Sequence, residues 1–153
     1  MDEEAKAVEL AYRAISRRDK TVAEVRSFLE QRAIEPDAIE HALSELRDAD
    51  ILDDARFAER FAEDKRLIER WGRERIEREL CRRGVPAGLA EVAVEDQGRE
   101  TELDAALSLL ADKVAPPEGD RERDKAWRLL VRKGYEPELA YEAVREHERR
   151  EAA

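Results

Sequence analysis

The sequence has few of the residues from which catalytic and cofactor sites are built. One cysteine excludes an internal disulfide, and the two histidines, His41 and His147, have no second ligand type at metal-binding spacing. No glycine-rich phosphate loop occurs. We therefore expect a protein that is not an enzyme and that uses no cofactor or metal. Cys81 is expected to be a small packed hydrophobe, and His41 an ordinary residue at the edge of the core.

Long apolar runs are also missing, and none approaches the roughly 18 residues that a membrane-spanning helix needs. The first residues, MDEEAKAVEL, are acidic and amphipathic, whereas a secretory signal begins with positive charge and an apolar block. These features predict a cytoplasmic protein without membrane contact.

Glycine and proline are scarce as well, with six and five residues, while 44% of the residues are charged and 42% are hydrophobic. This balance favours an all-α protein with wide solvated faces and argues against wholesale disorder. The net charge of −10 argues against nucleic-acid binding driven by total charge. An acidic protein fits better with a protein partner that carries basic surface.

Helix signals begin near the N-terminus. An amphipathic pattern over residues 3–17 predicts a first helix, with Tyr12 among its core candidates. Thr21 and Glu24 have the spacing of a capping box at the start of a second helix. Pro36 suits the first position of a third helix, where its missing N–H costs nothing.

The same three-helix pattern then returns twice. Leu29, Leu80 and Leu130 stand in equivalent sequence contexts, spaced 51 and 50 residues apart. A period near 50 residues predicts three tandem three-helix repeats, which bury a continuous core by stacking on each other. We expect this stacking to give an elongated molecule, which could be straight or curved. The predicted repeats are residues 1–52, 53–98 and 99–153.

The central repeat begins with the clearest local signal. Asp53 is a good N-cap for a helix over residues 53–70, and Phe57 and Ile68 are expected on its buried face. Asp53 and Asp54 could also form a carboxylate pair for a metal, but capping explains them more simply. Gly84 suits the left-handed position just past the end of the next helix.

Charge changes sign in this central region. Residues 54–83 hold ten Lys or Arg and eight Asp or Glu, although the chain as a whole is acidic. One interpretation is a solvated face with ion pairs of about 0.2–0.5 kcal/mol each. The other is a contact surface for phosphate or for acidic protein side chains. The contact candidates are Arg56, Lys65, Arg66, Arg70, Arg73, Arg75, Arg78, Arg82, Arg83, Arg132 and Lys133, of which Arg56 in particular could instead be intramolecular.

One loop stands apart from the other connectors. Residues 114–120, VAPPEGD, form the only proline-rich loop of the sequence. The loop is either a hinge or a plain longer turn.

Several motifs together resemble a known family. They are Leu52–Asp53–Asp54–Ala55–Arg56–Phe57–Ala58, Gly72, Ile76, Glu79–Leu80 and Arg83–Gly84–Val85 in the centre, Arg17–Arg18 with Glu24 in the first repeat, and Arg128–Leu129–Leu130 with Arg132–Lys133–Gly134–Tyr135 in the third. These residues resemble the RecX regulatory protein family over nearly the whole chain. The central motif is the most specific of them.

The resemblance implies a bacterial regulator of the RecA recombinase in recombination, DNA repair and the SOS response. We expect the protein to be a monomer. Such a protein binds along the groove of the RecA filament on single-stranded DNA, inhibits ATP hydrolysis and strand exchange, and promotes disassembly. The acidic charge favours direct contact with the recombinase, so that single-stranded DNA is met mainly within the filament. The alternative is a stand-alone helical-repeat protein that binds nucleic acid.

Overall fold

The chain is built from helices joined by short turns. The computed structural model describes residues 2–150 throughout and the backbone alone of residues 151 and 152. No strand occurs in this part of the chain, so the all-α prediction is confirmed. The helices are α1 (Glu3–Arg17), α2 (Val22–Gln31), α3 (Pro36–Asp48), α4 (Asp54–Asp64), α5 (Arg73–Arg82), α6 (Ala87–Ala93), α7 (Arg99–Lys113), α8 (Asp120–Lys133) and α9 (Pro137–Ala152), with a π-helical turn, Lys65–Glu69, continuing α4.

The predicted start signals are present in the structure. Thr21 and Glu24 form both hydrogen bonds of a capping box at the start of α2. Pro36 occupies the first turn of α3, as predicted. Local sequence chemistry therefore sets where these helices begin.

The two central aspartates both cap helices, which confirms the capping interpretation. Asp53 accepts a hydrogen bond from the Arg56 N–H at 3.0 Å, at the start of its own helix α4. Asp54 accepts from the Val22 N–H at 3.0 Å, and so caps α2 of the preceding repeat. No cluster of three or more metal-ligating side chains exists among the described residues.

Two compact units make up the structure. One contains the residues up to Arg60 together with Leu80–Ala90, and the other contains Phe61–Glu79 together with the residues from Glu91 onward. These units follow from packing and not from sequence similarity, so the predicted repeat boundaries stay a prediction.

The first unit has a core between α1, α2 and α3. Alanines line the buried face of α1, at Ala7, Ala11 and Ala14, and their small side chains let α1 lie close to α3. Leu43 on α3 is fully buried in this core. The prediction of Tyr12 as a core residue was wrong, because its side chain is 43% exposed beside the alanine face.

The second unit has a core between α7, α8 and α9, where Leu110, Leu130 and Tyr135 are buried. His147 on α9 is also buried, and its Nε2 lies 3.0 Å from the Val114 carbonyl oxygen at the start of the proline-rich loop. Pro117 in the same loop is buried.

Two smaller predictions have opposite outcomes. His41 is exposed beside Glu4 and Glu45, as expected for a residue at the edge of the core. Cys81 is exposed, so its prediction as a packed residue was wrong. Leu80 takes the core position, fully buried, and its neighbour Cys81 therefore points outward.

Within the described residues, no helix has the length and apolar character to cross a membrane.

Candidate functional site

Each later repeat contacts the repeat before it through its second helix. The end of α5 meets the start of α2, and we call this contact the first repeat junction. The end of α8 meets the start of α5 at the second repeat junction. In the first, the Thr21 hydroxyl donates to the Arg83 carbonyl at 2.7 Å and accepts the Glu24 N–H at 3.1 Å. The Arg83 guanidinium donates to both carboxylate oxygens of Glu24, at 3.0 and 2.9 Å. Arg83 therefore ties α5 to the capped start of α2.

The Glu24 carboxylate is adapted to this position. Burial alone would raise its pKa, but the hydrogen bonds from Arg83 and from the Thr21 N–H outweigh burial and lower the pKa. The side chains of Arg83 and Glu24 are only 17% and 24% exposed. This bidentate ion pair is therefore shielded from much of the solvent screening that weakens surface ion pairs.

The second junction repeats this arrangement with backbone groups. The Gly72 N–H donates to the Lys133 carbonyl at 2.8 Å, and the Glu74 N–H donates to the Gly134 carbonyl at 3.2 Å. In the internal alignment, Gly72 corresponds to Thr21 and Lys133 to Arg83. The contact position is conserved between the junctions, while the hydroxyl donor of the first is replaced by an N–H in the second.

Basic side chains of the second junction also bind carbonyl groups. Arg75 donates to the Arg132 carbonyl at 3.1 Å, and Lys133 donates to the Glu69 carbonyl at 3.0 Å. The Arg75 guanidinium also stacks 4.0 Å from the ring centroid of Trp71. These cations hold helix ends, where carbonyl groups would otherwise lack partners.

Glycine occupies the crossing point of each junction. Gly84 and Gly134 have φ angles of 91° and 106°, and a Cβ there would lie 2.4 Å from the Ala23 Cβ and 2.3 Å from the Arg75 Cβ respectively. The predicted left-handed position of Gly84 is confirmed. The equivalent residue of the first repeat is Ala33, which has a φ of 57°. The close contact, in addition to the left-handed backbone, therefore explains why the junctions use glycine.

The π-helical turn at the end of α4 changes which side chains face the core. Lys65–Glu69 has the wider hydrogen-bond spacing of a π-helix, and Arg70 follows with a left-handed φ of 60°. The Trp71 N–H then donates to the Lys65 carbonyl at 3.0 Å. The wider turn rotates Ile68 off the α-helical face, and its side chain is 74% exposed. The prediction of Ile68 on the buried face was therefore wrong.

Arg70 fixes this turn to the third repeat. Its guanidinium donates to the Asp112 carboxylate at 2.7 Å and to the Ser108 hydroxyl at 3.0 Å. The Tyr135 hydroxyl donates to the Arg70 carbonyl at 3.2 Å. Burial, reinforced by the Glu102 carboxylate, raises the pKa of Tyr135 to about 12, so the hydroxyl keeps its proton.

The buried carboxylate of Glu102 caps the start of α5, a role that the sequence analysis did not predict. Glu102 accepts a hydrogen bond from the Arg73 N–H at 2.6 Å and another from the Gln97 side chain at 3.3 Å. Arg73 also donates through its guanidinium to the Gln97 carbonyl at 2.9 Å. Burial raises the pKa of Glu102 despite these hydrogen bonds. No local signal identifies this cap, because Glu102 lies 29 residues from the helix that it caps.

Lys65, another of the candidate cations, lies over two aromatic rings. Lys65 lies 5.5 Å from the ring centroid of Phe61 and 4.8 Å from that of Trp71. The two rings meet edge to face at 6.2 Å. Lys65 is therefore held over an aromatic pair within its own repeat.

The candidate cations fall into two groups by their surroundings. Arg56 donates to the Asp50 carbonyl, and Arg66 is half-buried near Glu102. Arg82 is exposed but is not without a partner in its own chain. Arg78 and Arg132 are exposed, and within residues 2–150 their side chains make no hydrogen bond or ion pair. Other candidates with contacts to their own chain are Arg56, Lys65, Arg70, Arg73, Arg75, Arg83 and Lys133. A role for any of the eleven in partner contact stays a prediction.

Comparison with protein families gives two matches that follow each other along the chain. The model of the first three-helix domain of RecX matches residues 7–46, and the model of the second three-helix domain matches residues 53–94. Together these matches span the two repeats that form the first junction.

Curated relatives extend the similarity over most of the chain. A regulatory protein RecX of Streptomyces coelicolor is 32% identical over 148 residues, which cover 94% of this chain and 77% of the relative. Another of that name, from Chromohalobacter salexigens, is 34% identical over 134 residues, which cover 88% of each chain.

Solved structures share the fold. The crystal structure of RecX from Lactobacillus salivarius superposes with a TM-score of 0.83 at 21% identity, and covers 95% of this chain and 97% of its own. A second crystal structure, of a regulatory protein RecX, has a TM-score of 0.79 at 20% identity and covers 95% of this chain and 72% of its own. At these identities the likeness concerns the fold alone.

Proposed function

Because this chain belongs to the RecX family of regulatory proteins, we propose that it binds the RecA recombinase on single-stranded DNA and inhibits ATP hydrolysis and strand exchange. It acts by occupying the filament groove, without catalysis of its own. It works in the cytoplasm as a monomer and meets DNA mainly within the filament.

The observation that carries this proposal is how the central cations are used. Four of the eleven candidates hold repeats together, at the two junctions and around the π-helical turn: Arg70, Arg75, Arg83 and Lys133. Cations used in this way are less available to neutralise phosphates, and the whole chain carries a net charge of −10. A protein of this kind binds a protein surface more readily than bare nucleic acid, whose affinity depends on the number of phosphates neutralised.

The first experiment measures RecA ATP hydrolysis on single-stranded DNA while this protein is titrated in. We expect hydrolysis to fall at well below one copy per RecA subunit, because a filament regulator acts on many subunits at once. An unchanged rate with the cognate RecA, at low and at moderate salt, would overturn the proposal.

Arg78 and Arg132 are the best residues with which to test the basic surface, since they are exposed and without side-chain partners among the described residues. We expect the double variant Arg78→Glu with Arg132→Glu to weaken filament binding without changing the stability of the protein. Arg17→Glu with Lys125→Glu, at exposed positions of α1 and α8, changes net charge equally and is the matched control. Equal loss in both double variants would indicate a general charge effect, with no specific basic surface.

A further inference from the structure

The end of α4 carries an exposed apolar pair. Leu67 and Ile68, neighbours in the π-helical turn, are 66% and 74% exposed. The other exposed large hydrophobics among the described residues are Tyr12, Val92 and Tyr141, and each of them stands alone in the sequence. Single exposed hydrophobics are ordinary, but an adjacent pair at this exposure needs an explanation.

The backbone that presents this pair is unusual and costs free energy. The pair lies in a π-helical turn, and Arg70, which ends the turn, is a non-glycine residue in the left-handed region. π-helical turns occur often at functional sites, and a left-handed non-glycine residue costs on the order of 1 kcal/mol. Ala33 and Asp50 also have left-handed backbones, but neither follows a π-helical turn, so the π-helical turn is what distinguishes this segment and exposes the pair.

Contacts from the third repeat hold the turn rigid. Arg70 is bound through its guanidinium to Asp112 and Ser108, and through its carbonyl to the Tyr135 hydroxyl. Lys133 holds the Glu69 carbonyl. A segment fixed in this way loses little conformational entropy when it binds, which is how preorganised contacts gain affinity.

We propose that Leu67 and Ile68 form a rigid anchor that inserts into an apolar pocket with a basic rim on a protein partner. This proposal rests on the proposed function, which makes the RecA filament the partner. We call residues Glu63–Arg70 the π corner.

The charges of the π corner identify the chemistry of its partner. Its cations turn toward their own chain, because Lys65 lies over the Trp71 ring and Arg70 binds Asp112. Its acidic residues are exposed instead, at Glu63, Asp64 and Glu69. Exposed carboxylates repel phosphate, so complementarity favours a protein pocket lined by apolar groups and rimmed by Lys or Arg.

The size of the pair argues against self-association through this surface alone. Stable protein interfaces bury about 800 Å² on each partner, which is several times the area that two aliphatic side chains supply. The pair instead has the dimensions of an anchor within a larger contact, where a few buried side chains provide most of the affinity.

The test compares two double variants in equilibrium binding to RecA filaments on single-stranded DNA. We expect Leu67→Gln with Ile68→Gln to bind at least about tenfold more weakly than the unmodified protein. Val92→Gln with Tyr141→Gln removes two other exposed hydrophobics and is expected to bind normally. Because all four side chains are exposed, urea unfolding should show equal stability for both variants.

The outcomes separate this proposal from the proposed function. If the unmodified protein fails to bind filaments, the proposed function is overturned, and the anchor with it. If the protein binds but the Leu67 and Ile68 variant binds equally well, only the anchor is overturned. Weaker binding of that variant to bare single-stranded DNA would indicate insertion between bases and would also overturn the protein pocket.

A charge variant tests the rim independently. Glu63→Lys with Glu69→Lys is expected to weaken filament binding several-fold, because it places cations against a basic rim. Tighter binding would mean that the π corner faces phosphate or acidic protein, contrary to the proposal. Asp112→Ala, which loosens Arg70 but leaves both aliphatic side chains, should also weaken binding; unchanged affinity would show that rigidity contributes nothing.

Discussion

At the scale of single residues, the absence of a side chain decides whether two repeats can touch. Gly84 and Gly134 bring a backbone within contact distance of Ala23 and Arg75 on the neighbouring repeat. Any Cβ at these positions would overlap an atom that is itself fixed by helical backbone. Ala33 shows that the left-handed conformation alone is tolerated with a side chain.

We expect Gly134→Ala to destabilise the protein by about 2–4 kcal/mol, from left-handed strain and overpacking combined. Gly88→Ala is the matched control, because a Cβ at Gly88 meets nothing within 4 Å and the residue lies in α6. That change should be neutral, or stabilising by up to about 1 kcal/mol. Urea unfolding measures both, and similar stabilities would contradict the close-contact explanation.

Glu24 gives the stability of the first unit a predictable pH dependence. Its pKa in the folded protein lies below the ordinary value of 4.5, so its contribution is complete above that pH and is lost as the pH falls through the folded pKa. We expect Glu24→Gln to cost about 1–2 kcal/mol at pH 7, and the cost to shrink below pH 4.5.

Glu40→Gln is the control for Glu24→Gln, since Glu40 pairs with Arg26 while its side chain is 61% exposed. A surface pair of this kind contributes less than about 1 kcal/mol. Unfolding midpoints at several pH values test both variants. A cost for Glu24→Gln that stays constant with pH would show that the charge of Glu24 is not what stabilises the junction.

At the scale of elements, the π-helical turn is where the α-helical hydrogen-bond pattern of α4 changes to a wider one. The turn ends at Arg70, whose backbone and side chain serve different purposes. The side chain binds Asp112 and Ser108, while the left-handed backbone ends the π-helical turn.

Two substitutions at Arg70 separate these contributions. Both Arg70→Ala and Arg70→Gly remove the contacts with Asp112 and Ser108, but only glycine relieves the left-handed strain. We expect both variants to be destabilised, with Arg70→Gly more stable than Arg70→Ala by about 1 kcal/mol in urea unfolding. If Arg70→Ala were equally stable, the π-helical turn would not be strained.

The elements that sequence reasoning predicted well are those with local causes. The Thr21 capping box, the Asp53 cap and the Gly84 turn each depend on residues within a few positions, and all are present. The π-helical turn was missed because periodicity assumes a constant angle per residue, which carried Ile68 to the wrong face. Helix existence was therefore predictable, and the register after residue 64 was not.

The partners of the central cations could not be predicted, because they lie far away in sequence. Arg70 reaches Asp112, 42 residues on, and Arg83 reaches Glu24, 59 residues back. Composition alone leaves such residues equally suited to solvent, to phosphate or to a neighbouring helix. The candidate surface was thus predicted as a region, while the exposed pair of Leu67 and Ile68 within it was not.

At the scale of the whole molecule, net charge governs what the protein binds by itself. With a charge of −10, we expect no saturable binding to bare single-stranded DNA below about 0.1 mM at physiological salt. Fluorescence anisotropy of a labelled oligonucleotide at low and moderate salt measures this. Tight binding that falls steeply with salt would favour the alternative, a stand-alone nucleic-acid-binding protein.

The division into two compact units has a consequence for how this chain can be divided or rebuilt. Each unit is assembled from two separate pieces of chain, and Phe61–Glu79 and Leu80–Ala90 belong to different units. A single cut at any peptide bond therefore leaves at least one unit incomplete. The outer repeats each contain a three-helix core, α1–α3 and α7–α9, whereas the central repeat contributes separate pieces to both units. An extra copy of the central 50 residues would therefore bring parts of two units and no whole one, so the central repeat depends on the repeats on either side of it.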